Sequence, residues 1–302
     1  MNIFGMVTTK KSESYTAPAL ESFFKNTKLE AKDRFLLIDN DNSYEPQASY
    51  PQLEIIKNET PQSFATNGNT LIDVALLESA NLFFMNNDLI FTPGWSEPIR
   101  NCSDSICTPL SNAEVQYALG VSVVANQNNV STYVTNRHMQ LSEYEGHQYD
   151  VAAIGAAHAR TSKGSLPVLY FPFFCVYIPL SVMQQIGHFD TRFGIAGGED
   201  FDYCLRACLA GTTLSYKLSS WIVHFGGKST WSAEEQVAKT EREQKLLEEF
   251  EKKWGREIFE LVLLEKAEIL KANADESKQH TGEYFTGALK KILGGRQIET
   301  KL

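Results

Sequence analysis

This chain has no closely paired cysteines, no long apolar run and no excess of basic charge. Its five cysteines, Cys102, Cys107, Cys175, Cys204 and Cys208, are odd in number and contain no C-x-x-C pair. They suggest neither a disulfide framework nor a zinc cluster, and read as reduced, partly buried thiols. No apolar stretch reaches the roughly 18 residues of a membrane span. The first 25 residues lack a basic start followed by an apolar segment, which predicts a cytoplasmic protein. The formal charge is -9, and because affinity for a phosphate backbone comes mainly from clustered Lys and Arg, this balance argues against a nucleic-acid partner. At 302 residues, 43% hydrophobic and 22% charged, the chain can bury a sizeable core.

Three regions stand out. From Asn2 to about Asn87, short apolar runs alternate with segments at helical spacing: NIFGMV, APALESFF, RFLLID, QLEIIKN, LIDVALLESA and NLFFM. Strands that are apolar throughout and separated by helical segments predict βαβ units and a parallel sheet covered on both faces. Residues 97–166 are poorer in pattern and read as loops with a few strands, VQYALGVSVVA among them. From Pro167 to His224 order returns, with a continuous strand LPVLYFPFFCVYI, a short helix at SVMQQIG, a helix at DFDYCLRACLA and strands at TTLSYKL and SWIVHF. In the second helix Phe201, Leu205, Cys208 and Leu209 are expected to face the core, and Arg206 to face solvent or pair with a carboxylate. Beyond Ser232, alternating charge at helical spacing predicts amphipathic helices, a packing layer or an oligomer surface.

Several strands end in polar groups. In NLFFMNNDLIFTPGW, residues 81–95, an apolar run stops at Asn86, Asn87 and Asp88. At the carboxyl edge of a parallel sheet, where ligands bind, such a carboxylate can hold a hard cation that neutralises a diphosphate. Local turn formation explains the same residues equally well. FLLIDNDNSYEP, residues 35–46, ends another strand in the same manner. Its Asp39, Asp41 and Ser43 are not a calcium loop, because Tyr44 stands where Gly is needed and Tyr50 where Glu is needed. GHFDTRFGIAGGEDFDYCLRACLAG, residues 187–211, joins a glycine pair to Glu199 and Asp200 at a helix start. IVHFGGKS ends a strand in His224. Trp95 reads as a packing residue, and His138, His147 and His158 receive no role.

In this order, these segments resemble the family 2 glycosyltransferases with their GT-A fold, over about residues 2–232. The resemblance implies an α/β Rossmann-like sheet, mostly parallel and flanked by helices, as a GT-A domain at 1–232. Its nucleotide-binding half would span about 1–96 and its acceptor half about 97–232, with a C-terminal helical extension at 233–302. It implies a metal-dependent inverting transfer of a sugar from a nucleotide diphosphate sugar, UDP-sugar first, to an acceptor hydroxyl on a glycan, lipid-linked or small molecule. Mn2+ or Mg2+ would be the cofactor. Carried over, Asp88 and His224 look like metal ligands, Asp200 the catalytic base and Glu199 its partner. Asp39, Thr8 and Thr9 fall where the nucleobase is held, and Asn87, Gly197 and Gly198 beside the donor. The metal motif starts with Asn86 where that family usually has Asp. Glu199, if close to Asp200, should raise that residue's proton affinity. A silent nucleotide-sugar binding module and a sugar-phosphate nucleotidyltransferase are the competing readings. The C-terminal helices are a possible homo-oligomer surface.

Overall fold

The computed structural model describes residues 1–100, 102–112, 139–194, 197–228, 236–279 and 281–302. VQYALGVSVVA and His138 lie outside them. Among the described residues nine strands form one sheet: β1 (Asn2–Thr8), β2 (Arg34–Asp39), β3 (Leu53–Lys57), β4 (Asn81–Asn86), β5 (Leu89–Phe91), β6 (Ser105–Ser111), β7 (Ser165–Val168), β8 (Cys175–Ile178) and β9 (Thr213–His224). Their order is β3-β2-β1-β4-β8-β6-β9-β5, with β7 also paired to β9. β1 to β4 are mutually parallel, and β6 and β9 run the same way, whereas β5, β7 and β8 run against them. The expected mostly parallel α/β sheet is therefore present.

The register aligns the strand ends. Thr8 lies opposite Asp39 across β1 and β2, and Val7 opposite Asn86 across β1 and β4. Three chain-distant segments thus finish at one edge. Helix α1 (Glu13–Asn26) covers one face, where Phe23 meets Phe4, Phe35 and Phe91 at ring-centroid distances of 5.1, 4.7 and 5.3 Å. Trp95 is fully buried in this layer, as expected of a packing residue, and its indole N–H donates to Thr27 Oγ1 at 2.9 Å. The other face carries α2 (Phe64–Leu77), which starts where Ser63 Oγ accepts the Thr66 amide. A four-residue turn of helix, α3 (Glu97–Arg100), follows β5.

Three sequence expectations change. The unpatterned middle contains a helix, α4 (Leu141–Thr161), kinked at His147. Only Val151, Gly155 and His158 of it are buried, too narrow a stripe for an apolar period to show. Gly155 lets it approach the sheet, since a Cβ there would lie 2.2 Å from Thr92. LPVLYFPFFCVYI is not one strand but two, β7 and β8, joined by a buried corner at Leu169–Phe174. Pro172 has no amide hydrogen for a ladder, and β7 and β8 serve different neighbours in the sheet. Conversely, TTLSYKL and SWIVHF are one continuous β9, with the irregularity absorbed opposite Pro109 and Leu110.

After α5 (Leu180–Ile186) comes α6 (Glu199–Leu209), then α7 (Gln236–Trp254), α8 (Arg256–Leu263), α9 (Ala267–Asn273) and α10 (Gly282–Leu293). Along α6, Leu205 and Cys208 are buried as expected, while Phe201 and Leu209 are only half-buried. Arg206 is fully buried and pairs with Asp202, Nε to Oδ2 at 2.8 Å, so the solvent-facing alternative falls. The charged C-terminal helices have a buried side: Phe250, Trp254, Ile258 and Leu289 join the apolar cluster that also contains Phe84 and Val176 of the sheet.

Candidate active site

The strand-end residues fall into two groups. In the first, the polar side chains bond mainly to one another. Asp39 is fully buried, and its carboxylate accepts the amides of Ser43 at 3.1 Å and Tyr44 at 3.0 Å. It shapes its own loop. Thr8 Oγ1 lies 2.6 Å from Thr16 Oγ1, and Thr9 caps the short turn before α1, its hydroxyl 3.1 Å from Ser12 Oγ. Asn87 is fully buried. Its Nδ2 donates to Ser12 Oγ at 2.7 Å and Thr16 Oγ1 at 2.8 Å, while among the described residues its Oδ1 has no hydrogen-bond partner.

Beside this group lies a cavity of about 270 Å³. Thr9 lines it, together with Lys11, Asp41, Gln62, Phe64 and Asn86. Asp39 and Thr8 do not. Asn40 and Asn67 complete its wall, and Asn40 Oδ1 accepts from Asn58, Asn67 and the Gln62 amide at 2.8–2.9 Å. Sequence reasoning missed Lys11, Gln62 and Asn67. Lys11, three residues past the end of β1, had a positional signal. Gln62, before α2, and Asn67, in the first turns of that helix, had none, because the start of α2 reaches this edge only through tertiary packing.

The second group is held by β5 and β9. Their antiparallel register sets Leu89 opposite His224, and the Phe225 amide donates to the Asp88 carbonyl at 3.0 Å. Asp88 is fully buried, with Oδ1 3.4 Å from His224 Nε2 and Oδ2 accepting the Lys228 amide at 3.1 Å. Burial by itself would raise this carboxyl. The His224 charge and hydrogen bond, together with the Lys228 amide, outweigh burial and hold it below its ordinary range. Tyr15, on the first turn of α1, feels the same carboxylate, because burial and then Asp88's charge push its phenol upward.

Asp200 reaches this group through the β7–β8 corner. The Phe173 amide donates to Asp200 Oδ2 at 3.4 Å, and the Phe174 ring stacks on His224 with centroids 5.1 Å apart and planes 16° apart. The Phe174 carbonyl also accepts the Asn86 amide at 2.8 Å. One two-residue corner thus touches the end of β4, the His224 partner of Asp88, and Asp200. Glu199 is buried and Asp200 half-buried. Both carboxyls are pushed up, Asp200 by burial and Glu199 by burial plus Asp200's charge. The two carboxyls repel reciprocally, so the pair as a whole keeps a proton to higher pH than a lone carboxyl would.

Gly197 and Gly198 precede this pair with φ of 115° and 84°, a left-handed backbone that glycine adopts without strain. A Cβ at Gly198 would also lie 2.3 Å from Leu246 of α7.

Among the described residues, no set of three or more His, Cys, Asp or Glu side chains is grouped to hold a metal ion. Asp88 and His224 nevertheless fit one as a pair. Two ligand atoms each ~2.1 Å from an octahedral cation, at right angles, stand about 3 Å apart, close to the 3.4 Å observed. The unbonded Asn87 Oδ1 is a further buried oxygen of a type such cations accept.

The sheet with its parallel first half, the antiparallel β4–β8 join and the acidic strand end after β4 define the architecture. The chain has the GT-A fold. Over 97% of its length it superposes on the crystal structure of GalNAc-T7 with UDP, GalNAc and Mn2+, at a TM-score of 0.53 and 12% identity, covering 54% of that chain. It also superposes on residues 1–349 of S. aureus TarS, at a TM-score of 0.50 and 13% identity, covering 98% of this chain and 73% of that one. This chain thus spans little more than half of the first of these GT-A structures. No protein-family model and no curated protein matches it by sequence. Among the described residues, no helix is long and apolar enough to cross a membrane.

Proposed function

We propose that the protein is a metal-dependent inverting glycosyltransferase that moves a sugar from a nucleotide diphosphate sugar to an acceptor hydroxyl. One observation carries this reading: the Phe173–Phe174 corner joins Asp200, whose proton affinity is raised, to the Asp88–His224 pair at the same sheet edge. The cavity at the ends of β1 and β4, about 270 Å³, would take the nucleoside. Asp88 and His224 would hold the divalent cation, with Mn2+ or Mg2+ suited to their oxygen and nitrogen donors. When bound, the cation stabilises negative charge on the departing diphosphate.

Asp200 acts on the acceptor. The acceptor oxygen attacks the anomeric carbon from the face opposite the phosphate, and the carbon–oxygen bond to the nucleoside diphosphate breaks with its electron pair going to the phosphate. Asp200 takes the hydroxyl proton as the new bond forms. Glu199 stays protonated near neutral pH, so one negative charge, not two, faces the acceptor. That is the arrangement a base near neutrality needs. The buried Phe173 and Phe174 keep water from the site, which strengthens every charge interaction there.

GalNAc-T7 was crystallised with UDP, GalNAc and Mn2+, which makes UDP-sugars the first donors to try. The test is release of nucleoside diphosphate from a panel of nucleotide sugars, with Mn2+ and with EDTA, alongside thermal shift by UDP. Manganese-dependent release and a raised melting point are expected. Binding without release would make the protein a binding module. Neither effect with any nucleotide sugar would end the glycosyltransferase reading.

A further inference from the structure

Helix α7 lies directly on the loop that carries the acidic pair. Leu246 fills the space a Cβ at Gly197 or Gly198 would need, at 3.3 and 2.3 Å, and Phe250 meets Phe193 at 6.1 Å between ring centroids. At its end, Lys253 is nearly buried and bridges two carboxylates from different segments, Asp190 Oδ2 at 2.7 Å and Asp202 Oδ1 at 2.6 Å. The next residue, Trp254, donates its indole N–H to the same Asp202 Oδ1 at 2.9 Å. Asp202 Oδ2 takes Arg206 Nε, and that guanidinium also binds the carbonyls of Ile186 and His188 at 3.0 and 2.8 Å.

Asp190 caps the turn at Thr191–Phe193, and Asp202 sits in the first turn of α6, its amide donating to the Gly198 carbonyl at 2.8 Å. The lysine therefore ties the first turn of α6, which presents Glu199 and Asp200, to the turn at Thr191–Phe193. Neither carboxylate lines the nucleoside cavity. A buried cation held between two anions is an expensive feature for mere surface packing, because each charge must be desolvated. Its geometric effect falls on the acidic pair.

We propose that Lys253 and Trp254 are positioning residues for Asp200, and that α7 is part of the catalytic apparatus through them and not a separate packing layer. The inference rests on the reading of Asp200 as the base. A group displaced by about 1 Å can lose on the order of 100-fold in rate, so the clamp should appear in turnover and not in donor affinity.

The test compares full-length wild type, Lys253→Met, Lys253→Arg and Trp254→Phe by hydrogen exchange and by turnover with whichever nucleotide sugar the wild type uses. Lys253→Met should speed exchange at the amides of residues 199–203 and leave β1 to β4 unchanged. It should also lower turnover about tenfold while the donor KM stays within about twofold. Lys253→Arg, which can still bridge both carboxylates, should restore both readouts. Trp254→Phe removes one donor but keeps the ring, should shift the same two readouts two- to threefold, and serves if Lys253→Met does not fold. Unchanged exchange at 199–203 in every folded variant overturns the clamp, whatever the enzyme does. A loss shared equally by KM and turnover, unrescued by arginine, overturns it as well. A wild type without turnover removes the base reading, while the exchange result still decides whether the clamp exists.

Discussion

The two polar groups at the sheet edge look alike in sequence and differ in how their hydrogen bonds end. Around β1, β2 and the start of α1, Asp39 and Thr8 bond to nearby backbone and hydroxyls. Around β5, β9 and α6, Asp88 has a histidine at 3.4 Å, and Glu199 and Asp200 are carboxyls raised by burial. A polar residue whose bonds close locally is scaffold for the loop it ends. A buried carboxyl held away from its ordinary proton affinity has an electrostatic need that a ligand or a proton can meet. The difference separates residues that build the site from residues that act in it.

Removing the base gives the largest expected contrast. Asp200→Asn should lower turnover by on the order of 100- to 10,000-fold, with UDP affinity measured by calorimetry unchanged. Because Asp200 works only when ionised and its carboxyl is pushed up to about 6, wild-type turnover should fall as pH drops through that value. A variant that retains full turnover removes Asp200 from the chemistry. Next in size, Asp88→Asn should weaken the manganese-dependent part of UDP binding by about 10- to 100-fold, leaving the metal-free part as it was. Equal binding by both proteins in manganese would exclude Asp88 as a ligand.

These contrasts also show what the sequence made legible. β1, β2 and β4 were visible because strands covered on both faces are apolar throughout, and their polar tips marked the edge. A strand-end carboxylate such as Asp39 reads the same in sequence whether it turns toward a ligand or back onto its loop. The Phe173–Phe174 corner was hidden inside a run that any periodicity treats as one strand. α4 was hidden because a helix with three buried positions has almost no apolar period. Lys253 looked like one more surface charge, and only the fold shows two carboxylates converging on it.

Asp39→Asn tests the scaffold side of the comparison. One amide-bearing atom would replace an oxygen that accepts a backbone N–H, leaving a donor facing a donor. That should cost about 1 to 3 kcal/mol of stability, read by denaturant titration, with UDP affinity changed less than about twofold. A large loss of UDP affinity at unchanged stability would instead make Asp39 a nucleobase contact.

The smallest expected effect is a gain. Glu199 is held protonated in the fold, its carboxyl pushed up to about 8, whereas in the unfolded chain it ionises near 4.5. Between those values the folded state binds the proton that the unfolded state has already released. By linkage, the stability this group contributes is full below the unfolded value and is lost as pH rises through the folded one. Glu199→Gln keeps the shape and cannot ionise. It should therefore match wild type near pH 5 and exceed it by about 1 to 2 kcal/mol near pH 8.5, seen as a few degrees in melting temperature. The sign matters more than the size, because a pair built only for stability would lose when one carboxyl is neutralised. A site kept ready to accept a proton gains, and a melting difference that shrinks with rising pH would place the proton elsewhere.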